Sequence, residues 1–231
     1  MSAFFVAKNL FKKRDTITID ISFALEVASM IAIVGKSGCG KTTTLRLIAG
    51  LEKNDKDENA GFELLLAKKN IANLPPQKRE VGFCFQKACL FENMNVLDNA
   101  AFALICRGMK KKDAREKAKC ALEKYGLRNF ENRSVETLSG GEAQRVSLVR
   151  TILAEPRLIL FDEPLSSLDA PLRKTLARDI REMQMREGFA GIFVTHDIAE
   201  AREVSDKIIV MANGKKKWEG TSESFDESFL S

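Results

Sequence analysis

The chain has 231 residues, 45% hydrophobic and 30% charged, which supplies one globular core with room for a subdomain and excludes a disordered segment. Thirty-seven Lys and Arg against 32 Asp and Glu leave a net charge of +5, too even a balance for a dedicated nucleic-acid binder. Five cysteines (Cys39, Cys84, Cys89, Cys106, Cys120) without a Cys-x-x-Cys pair, and the single histidine His196, offer neither a disulfide framework nor a tetrahedral zinc site, so a reducing cytosol is expected.

No stretch reaches the roughly 20 apolar residues that cross a bilayer. The apolar start from Met1 to Val6 precedes Lys8, Lys12, Lys13 and Arg14, the reverse of a signal peptide's charge order, so a membrane role must come through a partner. Ile17, Ile19, Ile21, Phe23, Leu25 and Val27 alternate as in an edge sheet with one wet face, whereas Met30-Ile31-Ala32-Ile33-Val34 is a strand buried on both sides. Leu158-Ile159-Leu160-Phe161 and Ile192-Phe193-Val194 repeat the buried pattern. Three such strands, with helices predicted over 42–49, 140–153 and 170–186, define an α/β chain with a mainly parallel sheet.

Residues 51–60, with the acidic run Glu52-Lys53-Asn54-Asp55-Lys56-Asp57-Glu58-Asn59, read as a solvated loop. Residues 90–138 lack a buried-strand signal and read as a helical insertion, with helices over 98–106 and, capped by Asp113, over 113–125. Lys110-Lys111-Lys112 is a solvated face. Ile208-Ile209-Val210-Met211 and the segment around Trp218 flank Asn213-Gly214, a hairpin signal, and the last ten residues read as a loosely fixed tail.

Gly35-Lys36-Ser37-Gly38-Cys39-Gly40-Lys41-Thr42 fits the phosphate-loop pattern, directly after a buried strand and before a helix. Consecutive backbone N–H groups and the positive helix end suit phosphate oxygens; Lys41 brings a point charge to the β and γ phosphates, and Thr42 a hard oxygen to Mg²⁺. Leu158-Ile159-Leu160-Phe161 ends on Asp162 and Glu163, at the strand edge where ligands of open α/β sheets bind. Asp162 is expected to reach Mg²⁺, and Glu163 to polarise the attacking water. His196, directly after the third buried strand, is placed to hydrogen-bond the γ-phosphate. A depressed pKa would make Cys39 open to alkylation.

Together these residues resemble the nucleotide-binding subunit of an ATP-binding-cassette transporter, over nearly the whole chain. The most specific element, Leu138-Ser139-Gly140-Gly141-Glu142, is similar to the family signature, with Glu142 where Gln is usual. The resemblance implies a P-loop, RecA-like core over 1–90 and 150–231, an N-terminal antiparallel β subdomain, and a helical subdomain over 91–149. It implies an ATPase that binds ATP and Mg²⁺ through 35–42 and Thr43, with Lys41, Glu163 and His196 catalytic. Two copies, identical or homologous, would pair head to tail, so that Ser139, Gly140 and Gly141 meet the nucleotide of the partner copy.

Gln86 is similar to a Mg²⁺ ligand and sensor, which adds to Thr42 and Asp162 at the metal. Ser167-Leu168-Asp169 is similar to the family's D-loop, with Ser167 where Ala is more usual, and implies Asp169 at the nucleotide, with helix capping as its alternative. Phe11 is similar to the aromatic that stacks on adenine, with the core as its alternative. Leu74-Pro75-Pro76-Gln77-Lys78-Arg79 resembles importers of sugars, polyamines, ferric iron, oxyanions or thiamine, acting at the cytoplasmic face of the plasma membrane with a permease and, indirectly, a solute-binding protein. Since the sequence stops soon after the hairpin, the C-terminal regulatory domain many such subunits carry is expected to be missing. Leu90, Phe91 and Val96 either form a groove for a permease helix or pack the insertion. A chromosome or repair ATPase is excluded by the short middle segment; a Fe–S-assembly or cell-division ATPase is the alternative role.

Overall fold

The computed structural model describes residues 3–14, 16–56 and 61–230. The predicted loop residues Asp57, Glu58, Asn59 and Ala60, and the first two residues of the apolar start, lie outside the described residues.

Five short apolar runs fold as parallel strands because both their faces are covered: β3 (Met30–Val34), β6 (Val81–Cys84), β7 (Leu158–Asp162), β8 (Ala190–Thr195) and β9 (Lys207–Ala212). They lie side by side in the order β9-β3-β8-β7-β6. Alternate residues serve opposite cores. Leu158 and Leu160 join one cluster with Leu45, Ile48 and the N-terminal strands, while Ile159 and Phe161 join the other with the helices.

The N-terminal half pairs β1 (Phe5–Lys13) with β2 (Thr18–Leu25) and with β4 (Glu63–Leu66), all antiparallel, and β4 with the two-residue β5 (Lys69–Asn70). The register slips between Ala7 and Leu10, where Asn9 takes φ 54, so alternation along β1 loosens there. The Asn213-Gly214 hairpin forms as expected, both residues at positive φ (48 and 79), and returns as β10 (Lys215–Thr221). Through one bridge from Lys215 to Asp20, β10 joins the two halves into a single ten-stranded sheet among the described residues.

The insertion is helical, with two differences at its helix starts. Asn95 caps α2 (Val96–Cys106) by accepting from Asp98 N at 2.8 Å, so that helix begins before Asp98. Asp113 is not a cap: α3 (Lys111–Lys124) begins after Lys110, without a side-chain cap, and Asp113 sits in its first turn, where a carboxylate favours the helix dipole. Ala114, Ala118 and Leu122 form the buried stripe of α3 and pack with α2 and α4 (Gly140–Leu153). The same apolar cluster continues into Leu176, Ile180 and Met183 of α5 (Ala170–Glu187), so no gap separates insertion from sheet.

The C-terminal segment also departs from expectation. Phe225 is buried, Trp218 stacks on Phe229 with centroids 4.7 Å apart, and this aromatic set packs under α6 (Ile198–Val204) against Ile208 and Val210. Burial of three rings offsets the ordering entropy that would leave a polar tail loose.

Arg79 ties the phosphate-loop helix α1 (Lys41–Ala49) to the segment before β6. It is 6% exposed and donates to Leu47 O, Ile48 O, Ala72 O and Leu74 O at 2.8–2.9 Å, capping the carbonyl end of α1. Gly50 beside it is required twice over: its φ is 77, and a Cβ would lie 2.5 Å from Arg79 Nε. Arg79→Met leaves these carbonyls without donors and is expected to destabilise the fold by about 3 kcal/mol, read as a lower urea midpoint at unchanged slope. A midpoint equal to the parent's would show that the cap contributes nothing.

Candidate nucleotide site

The site grows from the carboxyl edge of β3, β8 and β7. As β3 ends, Gly35 passes so close to β9 that a Cβ would lie 2.2 Å from Met211 O, so only glycine fits. Gly40 takes φ 103 at the cap of α1, which turns the chain into the helix. Lys36, Ser37 and Gly38 are exposed on the loop, and Thr42 and Thr43 are half-buried on the first turn of α1.

Lys41 is 4% exposed and folds back over the loop, donating from Nζ to Gly35 O at 2.8 Å and Lys36 O at 3.2 Å. Glu163 Oε1 stands 3.8 Å from the same ammonium. Thr42 Oγ1 donates to Asp162 Oδ1 at 2.7 Å, which brings the end of β7 onto the start of α1. Burial raises the carboxyl of Asp162 above the usual range, and the Thr42 hydrogen bond opposes that.

Glu163 holds φ 46, a costly conformation for a residue with a Cβ, and is fixed by its N–H to Val194 O at 3.0 Å. Its other carboxylate oxygen lies 3.3 Å from His196 Nδ1. Lys41, Asp162, Glu163 and His196, from the loop and from two neighbouring strand ends, thus converge. Thr42 and Asp162 offer two hard oxygens 2.7 Å apart, a donor set suited to Mg²⁺, which takes one or two protein ligands and fills its shell with phosphate and water.

Cys39 is part of the loop but not a reactive thiol. It is 7% exposed, its Sγ packs beneath Gly35, and burial raises its pKa where the sequence suggested a depressed one; Lys41 pulls it down by less.

Gln86, exposed just beyond β6, donates to Ser166 Oγ at 3.1 Å, and Ser166 donates on to the Glu163 carbonyl at 2.9 Å. Gln144, 9% exposed on α4, donates to Phe85 O at 3.2 Å, Gln86 O at 3.1 Å and Pro164 O at 2.6 Å. Neither Ser166 nor Gln144 was singled out in the sequence. The one available signal was a glutamine on the helix face that also carries Gly141, Ser147 and Leu148.

Ser139 caps α4. Its hydroxyl accepts from Glu142 N at 3.3 Å, and Glu142 Oε2 accepts from Ser139 N at 2.7 Å, a reciprocal capping box that holds the Glu142 carboxyl below its usual range. Ser139 and Gly140 are exposed, while Gly141 is buried, its would-be Cβ 2.7 Å from Leu172. Among the described residues no hydrogen bond or ion pair joins this helix start to 35–43. Asp169 is exposed and caps α5 by accepting from Leu172 N at 3.0 Å.

Phe11 is half-buried, and Lys56 Nζ lies 4.2 Å from its ring centroid. Its N–H donates to Asn54 Oδ1 at 2.6 Å, which fixes the strand to the 51–56 loop.

Of the three residues offered for a partner groove, Val96 is fully buried and Leu90 packs against the core. Phe91 is 38% exposed and packs against Phe102, ring centroids 4.5 Å apart and tilted, over an open cleft of about 430 Å³, lined also by Phe85, Cys89, Arg107 and Arg150. Buried Asn99 holds this loop, accepting from Phe91 N at 2.8 Å and donating to Phe91 O at 3.0 Å.

A glycine-rich loop between a buried parallel strand and a helix, with an acid pair at the end of a nearby strand, defines a phosphate-loop nucleotide-binding domain. The chain belongs to the ABC transporter family, whose model matches residues 19–166. It is 44% identical over 219 residues to the Fe(3+) ions import ATP-binding protein FbpC of Agrobacterium fabrum, covering 91% of this chain and 61% of that protein. With the spermidine/putrescine import ATP-binding protein PotA of Clostridium novyi it shares 39% identity over 218 residues, 94% of this chain and 61% of the relative. The chain thus spans about three fifths of the length of these relatives. Among solved structures, an ATP-binding cassette captured as a dimer after hydrolysis, bound to ADP and Pi, superposes with a TM-score of 0.81 at 26% identity, over 96% of this chain and all of the other.

Thiol labelling tests the burial order. Cys89, Cys106 and Cys120 are exposed, whereas Cys39 and Cys84 are buried, and burial raises the Cys84 pKa to about 11. A maleimide at neutral pH is expected to modify only the three exposed thiols of the folded chain, as read by peptide mass spectrometry. Fast modification of Cys39 would contradict the packing of the loop.

Proposed function

We propose that the chain is the ATP-hydrolysing subunit of an ABC importer, acting as a head-to-tail dimer at the cytoplasmic face of the membrane. The observation that carries this reading is the exposed, capped helix start at Ser139 and Gly140, which among the described residues has no hydrogen bond or ion pair to the chain's own phosphate loop. A helix N-terminus flanked by a hydroxyl and glycine is a second anion site. In the dimer it faces the γ-phosphate held by the other copy, and only the triphosphate spans both halves, so binding energy is released on closure. The post-hydrolysis dimer among its structural relatives supports this arrangement.

Within one copy, backbone N–H groups of 36–42 cradle the phosphates, and Lys41 exchanges its carbonyl partners for β and γ oxygens. Thr42 and Asp162, with Gln86, would hold Mg²⁺, which neutralises charge on the transferring phosphoryl group when bound. Glu163, set by its strained backbone and aimed between Lys41 and His196, orients the attacking water and accepts its proton. His196 donates to the γ-phosphate and senses its loss. Ser166 carries the position of Gln86 to the backbone of Glu163. Phe11 is the residue proposed to stack on adenine, the ring moving out from under Lys56.

The aromatic cleft at Phe85, Phe91 and Phe102 suits a short amphipathic helix of the permease, and it adjoins Gln86, so closure is passed to the membrane halves. No helix among the described residues is long and apolar enough to cross a membrane, which fits a peripheral subunit. The names of its relatives, ferric iron and polyamine import, support an importer whose cargo is chosen by the membrane and solute-binding partners.

Glu163→Gln keeps the shape and removes the base. It is expected to bind ATP with parental affinity by calorimetry while hydrolysis falls at least about 100-fold. Turnover at the parental rate would remove Glu163 from the catalytic role.

A further inference from the structure

Both chain neighbours of His196 end on one ion pair. Thr195 donates its hydroxyl to Glu200 Oε2 at 2.6 Å, and Asp197 Oδ2 lies 3.4 Å from Arg173 Nη1. Arg173 Nε and Glu200 Oε1 face each other at 3.4 Å, the glutamate only 6% exposed. The same guanidinium donates from Nη2 to Leu168 O at 3.0 Å, in the exposed turn before α5. Asp197 Oδ1 meanwhile caps α6, accepting from Ala199 N and Glu200 N at 2.8 and 3.1 Å.

His196 itself has little to hold it. Its side chain is 52% exposed and its recorded contact is the Glu163 carboxylate. The ring's position is therefore set by where the backbone of 195–197 is pinned, and both pins lead to Arg173 and Glu200. Three nitrogens of one planar guanidinium meet three different oxygens, which a lysine ammonium cannot reproduce. Buried Nε is also left without an aligned acceptor, so the pair is electrostatic contact and not a closed hydrogen bond.

We propose that Arg173 and Glu200 are a positioning pair that places His196 against Glu163 and joins that turn to the 167–169 turn at the start of α5. Both act through the backbone of His196. The proposal depends on the hydrolysis reading only for its kinetic readout.

His196 is the sole histidine of the chain, so an untagged sample labelled with ¹³C-histidine gives one imidazole signal that reports this position. In Arg173→Lys the signal is expected to move away from its parental shift, with kcat for ATP lowered about tenfold and KM within about twofold. Glu200→Gln, which keeps the shape and an acceptor for Thr195, is expected to move the signal in the same direction by less. Arg181→Lys alters another pair of α5, Arg181 to Asp206 at 2.5 Å, away from the 195–197 turn, and is expected to leave the signal in place. An unmoved signal in folded Arg173→Lys, an equal movement in Arg181→Lys, or a loss confined to KM would overturn the proposal. If Arg173→Lys does not fold, Glu200→Gln decides by the same signal. A parent that does not hydrolyse ATP would refute the hydrolysis reading while the signal still tests the pair.

Discussion

The hydrogen bond from Thr42 to Asp162, 2.7 Å long, is the contact on which the rest of the site depends. Thr42 lies in the first turn of α1 after the loop from β3, Asp162 ends β7, and β8 lies between β3 and β7 in the sheet. The bond forms only if three parallel strands end level and the loop turns tightly enough to bring α1 back over their edge. Gly35 permits the turn by passing against Met211 O, where no Cβ fits. The same levelling puts Glu163 and His196, each at a strand end, within 3.3 Å of one another.

Charge is distributed so that the edge stays poised. Lys41 is almost wholly buried, held by two carbonyls and by Glu163 at 3.8 Å, while Asp162 beside it is pushed toward the protonated form by burial. In the proposed reading, an anion with bound Mg²⁺ would replace these internal partners without exposing the lysine to water, so the loop need not rebuild on binding. Arg79 at the other end of α1 keeps the helix seated while its first turn takes on charge.

How much of this was legible in the sequence depends on the range of the forces involved. The buried strands were readable because two covered faces leave a continuous apolar run, and the phosphate loop because local backbone geometry demands glycine at fixed spacing. β1 went unread because its register shifts at Asn9 and breaks the alternation, and β4 and β5 are too short to show a period. The tail was misjudged because Trp218, Phe225 and Phe229 stand apart along the chain until the fold brings their rings together. Asp113 looked like a cap because cap and first-turn carboxylates share a composition. Ser166, Gln144 and Arg173 stayed unseen since their meaning lies in partners far along the chain: Gln86 for Ser166, the carbonyls of Phe85, Gln86 and Pro164 for Gln144, and Asp197 and Glu200 for Arg173. Cys39 was misjudged by its place at a helix start, where burial outweighs the nearby lysine.

The central claim is that one chain supplies half of each reaction centre: a phosphate loop for its own nucleotide and a capped helix start for its partner's. The most direct measurement mixes two inactive variants, Ser139→Arg and Lys41→Ala, and follows phosphate release. The account requires each variant alone to be silent and the equimolar mixture to recover up to about one quarter of the parental rate per chain, since half the pairings carry one intact site of two. Full activity of Ser139→Arg alone, or a mixture as silent as its components, would contradict it.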